Sequence, residues 1–276
     1  MAVQTRPGTE TMIVDCHTHV DPTAGEAELA AHRMAAEMVD ACLVLACPGP
    51  SRDQINEHLA RYVDGHKDKM VGLGLVEPTE DEATDKTLKT FEKLGLKGFV
   101  LYCGVYGFHP MHSRAVRFYE AAQEAGLPVV FHNADLDPSG PGSLAYVQPF
   151  LLDEVAKAFP RLRIVVGGMG VPFVEQTLAV LARHEHAYAD LTIRPNNVWQ
   201  TYNMVMATHE YGVMDKLLFG SGYPSCNATD CIETLLGFNM LLADTSLPTV
   251  PRSCISSVVE RNALEVLGIK HSITSA

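Results

Sequence analysis

Short apolar runs rich in β-branched residues alternate along this chain with longer segments whose apolar positions recur at helical spacing. The runs are MIVDC (12–16), ACLVLA (41–46), MVGLGLV (70–76), KGFVLY (97–102), PVVFH (128–132), RIVVG (163–167), AYADL (187–191) and KLLFGS (216–221). Most are continuously apolar, the pattern of parallel strands covered on both faces. Helices are predicted between them, over 26–39, 51–66, 80–94, 111–125, 143–158, 172–184, 197–210 and 229–242. In the first, Leu29, Met34 and Met38 fall near one face. The second opens on SRDQ, an N-cap followed by an early acid. A ninth helix, 251–267, stops at Gly268.

Strict βα alternation implies a parallel sheet, and eight units favour closure over an open doubly wound sheet. The predicted fold is therefore α/β, a (β/α)₈ TIM-type barrel with an extra C-terminal helix. The 276 residues suit such a barrel. No linker or low-complexity stretch divides them, and DPSGPG (137–142) reads as a loop after the fifth strand. One domain spanning 1–276 is expected, with 1–11 as a polar tail.

Charge narrows the partners. The net charge is −12, with acids spread along the chain. Nucleic acid would call for a basic stripe, and an anionic membrane surface for basic clusters. Neither is expected as a partner. No apolar stretch reaches the ~18 residues of a membrane span, and residues 1–11 lack the apolar core of a secretory leader. The seven cysteines show no CxxC pair and read as reduced thiols. The expectation is a cytoplasmic protein that takes a small molecule, with a homodimer as the default assembly.

Barrels of this kind place their chemistry at the C-terminal strand ends. The first strand ends in His17-Thr18-His19, and residues i and i+2 of a strand share a face. The fifth ends in His132, across the predicted mouth. Three neutral imidazoles form a ligand set for zinc, with manganese or iron as alternatives. Arg194, after the seventh strand, can hold a substrate carboxylate bidentately or make a surface ion pair. Glu77, Asp135, Asp190, Cys226, His109 and His112 stand near other strand ends. Each has a plainer reading as a structural carboxylate, a buried thiol or a helix-flanking histidine. Tyr102, Tyr106 and Trp199 are read as core before pocket. The remaining histidines (His32, His58, His66, His184, His186, His209 and His271) are read as surface or structural.

VDCHTHVD, GLKGFVLY, LPVVFHNAD, RLRIVVGGMGVPFVEQ, AYADLT and KLLFGSGYP follow one another in the order found in the amidohydrolase-related family. The chain resembles that family, which includes aminocarboxymuconate-semialdehyde decarboxylase and related decarboxylases and hydrolases, from about Met12 to Gly268. The resemblance implies a metal-assisted hydrolase or carboxy-lyase. It makes His17, His19 and His132 the metal ligands, while position at the strand ends makes His132, Asp135 and Arg194 the catalytic candidates. The sequence departs from the family at three places. Gly168 stands where a histidine is usual in GHMG, Gly222 where an aspartate is usual in GSDYP, and Val100 where hydrolases often carry lysine. Glycine neither ligates through a side chain nor moves a proton. Two alternatives therefore stay open: metal-free lyase, cyclase or isomerase chemistry, and a non-catalytic binding relative.

Overall fold

A computed structural model describes residues 11–49, 52–132 and 142–274. Eight strands form one sheet in chain order, each parallel to the next. They are β1 (Val14–Thr18), β2 (Ala41–Leu45), β3 (Met70–Leu75), β4 (Phe99–Leu101), β5 (Val129–Phe131), β6 (Ile164–Val166), β7 (Ala187–Thr192) and β8 (Leu217–Gly220). Helices follow the strands, so the molecule is the expected (β/α)₈ barrel. Almost every strand position is buried, as sheets covered on both faces require. Among the described residues no helix is long and apolar enough to cross a membrane.

The seam between β8 and β1 closes just past the end of β8. Gly222 N–H donates to His17 O and His19 N–H to Tyr223 O, both at 2.9 Å. Ser221 N–H also donates to Asp15 Oδ1 at 2.9 Å. Closure therefore fixes the same stretch of β1 that carries the paired histidines. That stretch is irregular: Asp15 pairs with Cys42 but Thr18 with Val44, so one strand carries an extra residue. Such bulges re-aim side chains and recur beside functional sites. A buried histidine pins the bulge from outside. Leu43 O accepts from Thr18 Oγ1 at 2.8 Å, and His32 Nε2 lies 3.3 Å from the same hydroxyl. The other ring nitrogen of His32 meets Tyr62 OH at 2.7 Å.

Some predicted elements differ in detail. The strand predicted at 12–16 lies two residues later, which brings His17 and Thr18 into β1. The first helix is Glu26–Ala36, and it buries His32 and Ala36 rather than its methionines. Met34 and Met38 are exposed, so the predicted apolar face is not the one that packs. The helix predicted over 143–158 is two 3₁₀ turns followed by Leu152–Ala158. The C-terminal helix divides into Arg252–Val259 and Ala263–Val266. Trp199 is 69% exposed and stacks on Tyr202 with ring centroids 5.8 Å apart, so it belongs to the surface and not the core.

Candidate metal centre

Three imidazoles converge at the C-terminal mouth of the barrel. His17 and His19 come from the end of β1, and His132 from the residue after β5. His17 Nε2 lies 3.1 Å and His19 Nε2 2.8 Å from His132 Nε2. One ligand atom from each lies within 4.8 Å of the other two. Among the described residues this is the one such cluster of metal-ligating groups.

The outer nitrogens say what the inner ones offer. His19 Nδ1 is 3.1 Å from Leu45 O, and a carbonyl only accepts. The proton is therefore on Nδ1, and His19 Nε2 presents a bare lone pair. His17 Nδ1 is 3.0 Å from Asp190 Oδ1, an oxygen that also accepts from Gly168 N–H at 2.8 Å and from the Thr192 hydroxyl. His17 Nε2 is bare by the same reasoning. His132 Nε2 faces both and can give a proton to one only. The remaining contact sets two lone pairs against each other, an arrangement that a cation resolves. The donor set thus fits a divalent metal: three neutral imidazole nitrogens, two of them oriented from behind by hydrogen bonds.

Burial keeps the His19 and His132 rings neutral. It lowers the pKa of His19 to about 3, with the His17 ring adding to the effect. Burial lowers His132 well below the ordinary histidine value, and the two neighbouring rings push the same way. Tyr102 lies along His132, with ring centroids 4.5 Å apart and planes inclined by 32°, and its hydroxyl donates to Ala46 O at 2.9 Å.

The imidazoles open into a cavity of about 950 Å³. Tyr102, Val105, Val171, Pro172 and Ile193 give it apolar walls, and Arg194 stands on its rim. Among the described residues no aspartate or glutamate lines it. Gly168 and Gly222 both face it.

The other sequence candidates separate. Asp135 lies outside the described residues. Asp190 is fully buried and reaches His17 rather than the cavity. Glu77 is buried beside Thr79, which donates to its Oε1 at 3.0 Å, and does not line the cavity. His109 accepts from Met111 N–H, and His112 caps the helix Ser113–Ala125 by accepting from Arg114 N–H. Tyr106 packs against the core. Cys226 lines the cavity. Cys47 was not singled out by its sequence context. Its Sγ is 3.1 Å from His19 Nδ1, and burial raises its thiol to about 11. The available signal was position: Cys47 follows β2 by two residues and so stands at the same mouth. All seven cysteines are unpaired thiols.

Three imidazoles gathered over a cavity at the strand ends of a barrel are compatible with a divalent metal. The family profile described as amidohydrolase matches residues 14–269, and the chain belongs to that family. No curated protein matches it by sequence. Solved structures share its fold at low identity. An uncharacterized TIM-barrel protein from Bordetella bronchiseptica is 18% identical with a TM-score of 0.70, over 93% of this chain and 98% of that one. A probable 2-pyrone-4,6-dicarboxylic acid hydrolase from Acinetobacter baumannii, with citric acid bound, is 15% identical with a TM-score of 0.64, over 93% and 99%. A 5-carboxyvanillate decarboxylase from Novosphingobium aromaticivorans, complexed with manganese and 4-hydroxy-3-methoxy-5-nitrobenzoic acid, is 13% identical with a TM-score of 0.63, over 94% and 96%.

Proposed function

We propose that this chain is a divalent-metal-dependent carboxy-lyase acting on a small carboxylated molecule, with His17, His19 and His132 as the metal ligands and residues 1–276 as one barrel domain. The observation that carries the reading is the convergence of three imidazole nitrogens, with the outer nitrogens of His17 and His19 turned to acceptors. Family membership and the decarboxylase and hydrolase neighbours support it. A divalent ion held there supplies a Lewis acid for a carboxylate or carbonyl oxygen. Manganese, bound by the decarboxylase neighbour, is as natural a first choice as zinc.

The chain's own residues supply the rest. Arg194 on the rim takes a substrate carboxylate through its paired guanidinium donors. The apolar walls receive hydrocarbon and exclude water, which strengthens the charge interactions of the site. Hydrolysis needs a base for the attacking water. Among the described residues the lining offers no carboxylate for that role, and the carboxy-lyase reading is preferred on the decarboxylase neighbours. Loss of carbon dioxide breaks a C–C bond and leaves the electron pair on carbon, so the site must return one proton to that carbon. Asp135, three residues after His132, is the proposed carrier on its sequence position alone.

The reading is checked by incubating manganese- or zinc-loaded protein with a panel of small aromatic and aliphatic carboxylates and lactones. Carbon dioxide release and acid production are followed separately. Metal-dependent carbon dioxide release that disappears in His132→Ala is expected. Lactone opening without carbon dioxide from any carboxylate would overturn the carboxy-lyase reading.

A further inference from the structure

One carboxylate oxygen ties the proposed metal centre to the cavity wall. Asp190 is fully buried near the end of β7. Its Oδ1 takes three donors from three elements: His17 Nδ1 from β1, Gly168 N–H from the turn after β6, and the Thr192 hydroxyl from β7 itself. Its Oδ2 is buried and, among the described residues, has no hydrogen-bond partner. A packing carboxylate would share its donors between both oxygens, because an unpaired buried oxygen carries a desolvation cost. Here every donor is gathered on the one oxygen that faces His17.

The neighbourhood is shaped around this grouping. Gly220 in β8 lies against it. A Cβ there would stand 2.8 Å from Thr192 Oγ1, 2.9 Å from His17 Cβ and 3.3 Å from Asp190 Cβ. The missing side chain is what lets the imidazole, carboxylate and hydroxyl pack in one layer. The Thr192 hydroxyl also lies 3.4 Å from His17 Nδ1, so it cannot replace the carboxylate as acceptor without giving up its own donation to Asp190.

We propose that Asp190 is a positioning residue that holds His17 in the tautomer with bare Nε2 and couples it to the Gly168 turn, so that metal affinity and the shape of the cavity wall depend on the same carboxylate oxygen. The proposal rests on the metal-centre reading. An aspartate acts here in two ways. Its negative charge makes the His17 ring a stronger donor to a cation, and its acceptor keeps the ring proton on Nδ1. Asparagine preserves the shape but fails in either orientation. With the amide oxygen toward His17 the charge is lost, and a buried NH₂ replaces Oδ2. With the NH₂ toward His17, three donors meet two more, and the ring must turn its proton to Nε2.

The experiment has two parts. Histidine ¹⁵N shifts of the metal-free protein at neutral pH report the His17 tautomer without any metal, and the Nδ1–H form is expected. Manganese binding is then measured for the wild type and for Asp190→Asn, with thermal unfolding followed in parallel. A loss of about 10- to 100-fold in affinity with a retained cooperative transition is expected, the usual size for removing such an outer partner. If the wild type itself binds neither manganese nor, in a parallel titration, zinc, the metal-centre reading fails, and the tautomer measurement still judges the role of Asp190. If the wild type binds and Asp190→Asn binds equally well, the positioning role is overturned. A dominant Nε2–H tautomer in the wild type overturns it too, even if the variant does not fold.

Discussion

A Cβ on Gly222 would stand 2.7 Å from Cγ2 of Thr192, so the methyl of one residue occupies the ground that a side chain on the other needs. Gly222 also sits at φ +69, a conformation that side-chain-bearing residues adopt at a cost. The position at which the family usually carries aspartate is thus closed by backbone and by neighbour together.

Gly222→Asp alone should therefore destabilise the protein, by about 1–3 kcal/mol from backbone strain, with overpacking added. Thr192→Ser removes the obstructing methyl and keeps the hydroxyl that serves Asp190. Combined with Gly222→Asp it should recover part of the loss, giving a favourable coupling in a double-mutant cycle measured by urea unfolding. Simple additivity would show that the methyl is not the obstacle.

Gly168 behaves differently. Among the described residues a Cβ there meets nothing within 4 Å, and the φ of +55 is what stands against it. Gly168→Ala should cost about 1 kcal/mol. Gly170→Ala, two residues on, would meet Pro149 and stand 2.6 Å from Thr177 Oγ1, so it should cost distinctly more. Thermal unfolding of the two variants decides this, and equal losses would contradict the geometry.

Acid should destabilise the metal-free fold. Burial lowers His19 to about 3 and His32 to about 4, and His132 moves in the same direction. Below the ordinary histidine value of 6.5 the unfolded chain binds these protons and the folded chain does not. Stability present above pH 6.5 is therefore lost as pH falls toward 4 and below. Asp15 opposes this. Burial raises it to about 6, so its contribution falls as pH rises from 3.8 through 6. Three imidazoles outweigh one carboxyl, and urea midpoints should fall steadily from pH 7 to pH 5. A midpoint that rises over this interval would contradict the assignment.

The barrel was legible because each strand is a short apolar run, and burial on both faces leaves little else such a run can be. The histidines were legible because strand ends and side-chain alternation place His17, His19 and His132 at one mouth without any knowledge of loops. What escaped depends on contacts between distant elements. The bulge in β1 moves the strand two residues toward the histidines, and its register is set by pairing with β2 and β8. Met34 and Met38 share a helical face in the sequence, yet packing selects the face of His32, which Tyr62 and Thr18 satisfy. Asp190 looks like any strand-end carboxylate until Gly168 and His17 are brought to the same oxygen. Cys47 carried no signal beyond its place after β2. Gly168 and Gly222 read alike in the sequence, and only the positions of their neighbours separate an open site from a closed one.

The most direct measurement is a calorimetric titration of manganese, and separately zinc, into metal-stripped protein, repeated with His17→Ala, His19→Ala and His132→Ala. Three convergent neutral imidazoles predict saturable binding of about one equivalent in the wild type, weakened at least about tenfold in each variant. Uptake below about a tenth of an equivalent of either metal by folded wild-type protein, or binding that all three variants retain, would contradict the metal centre.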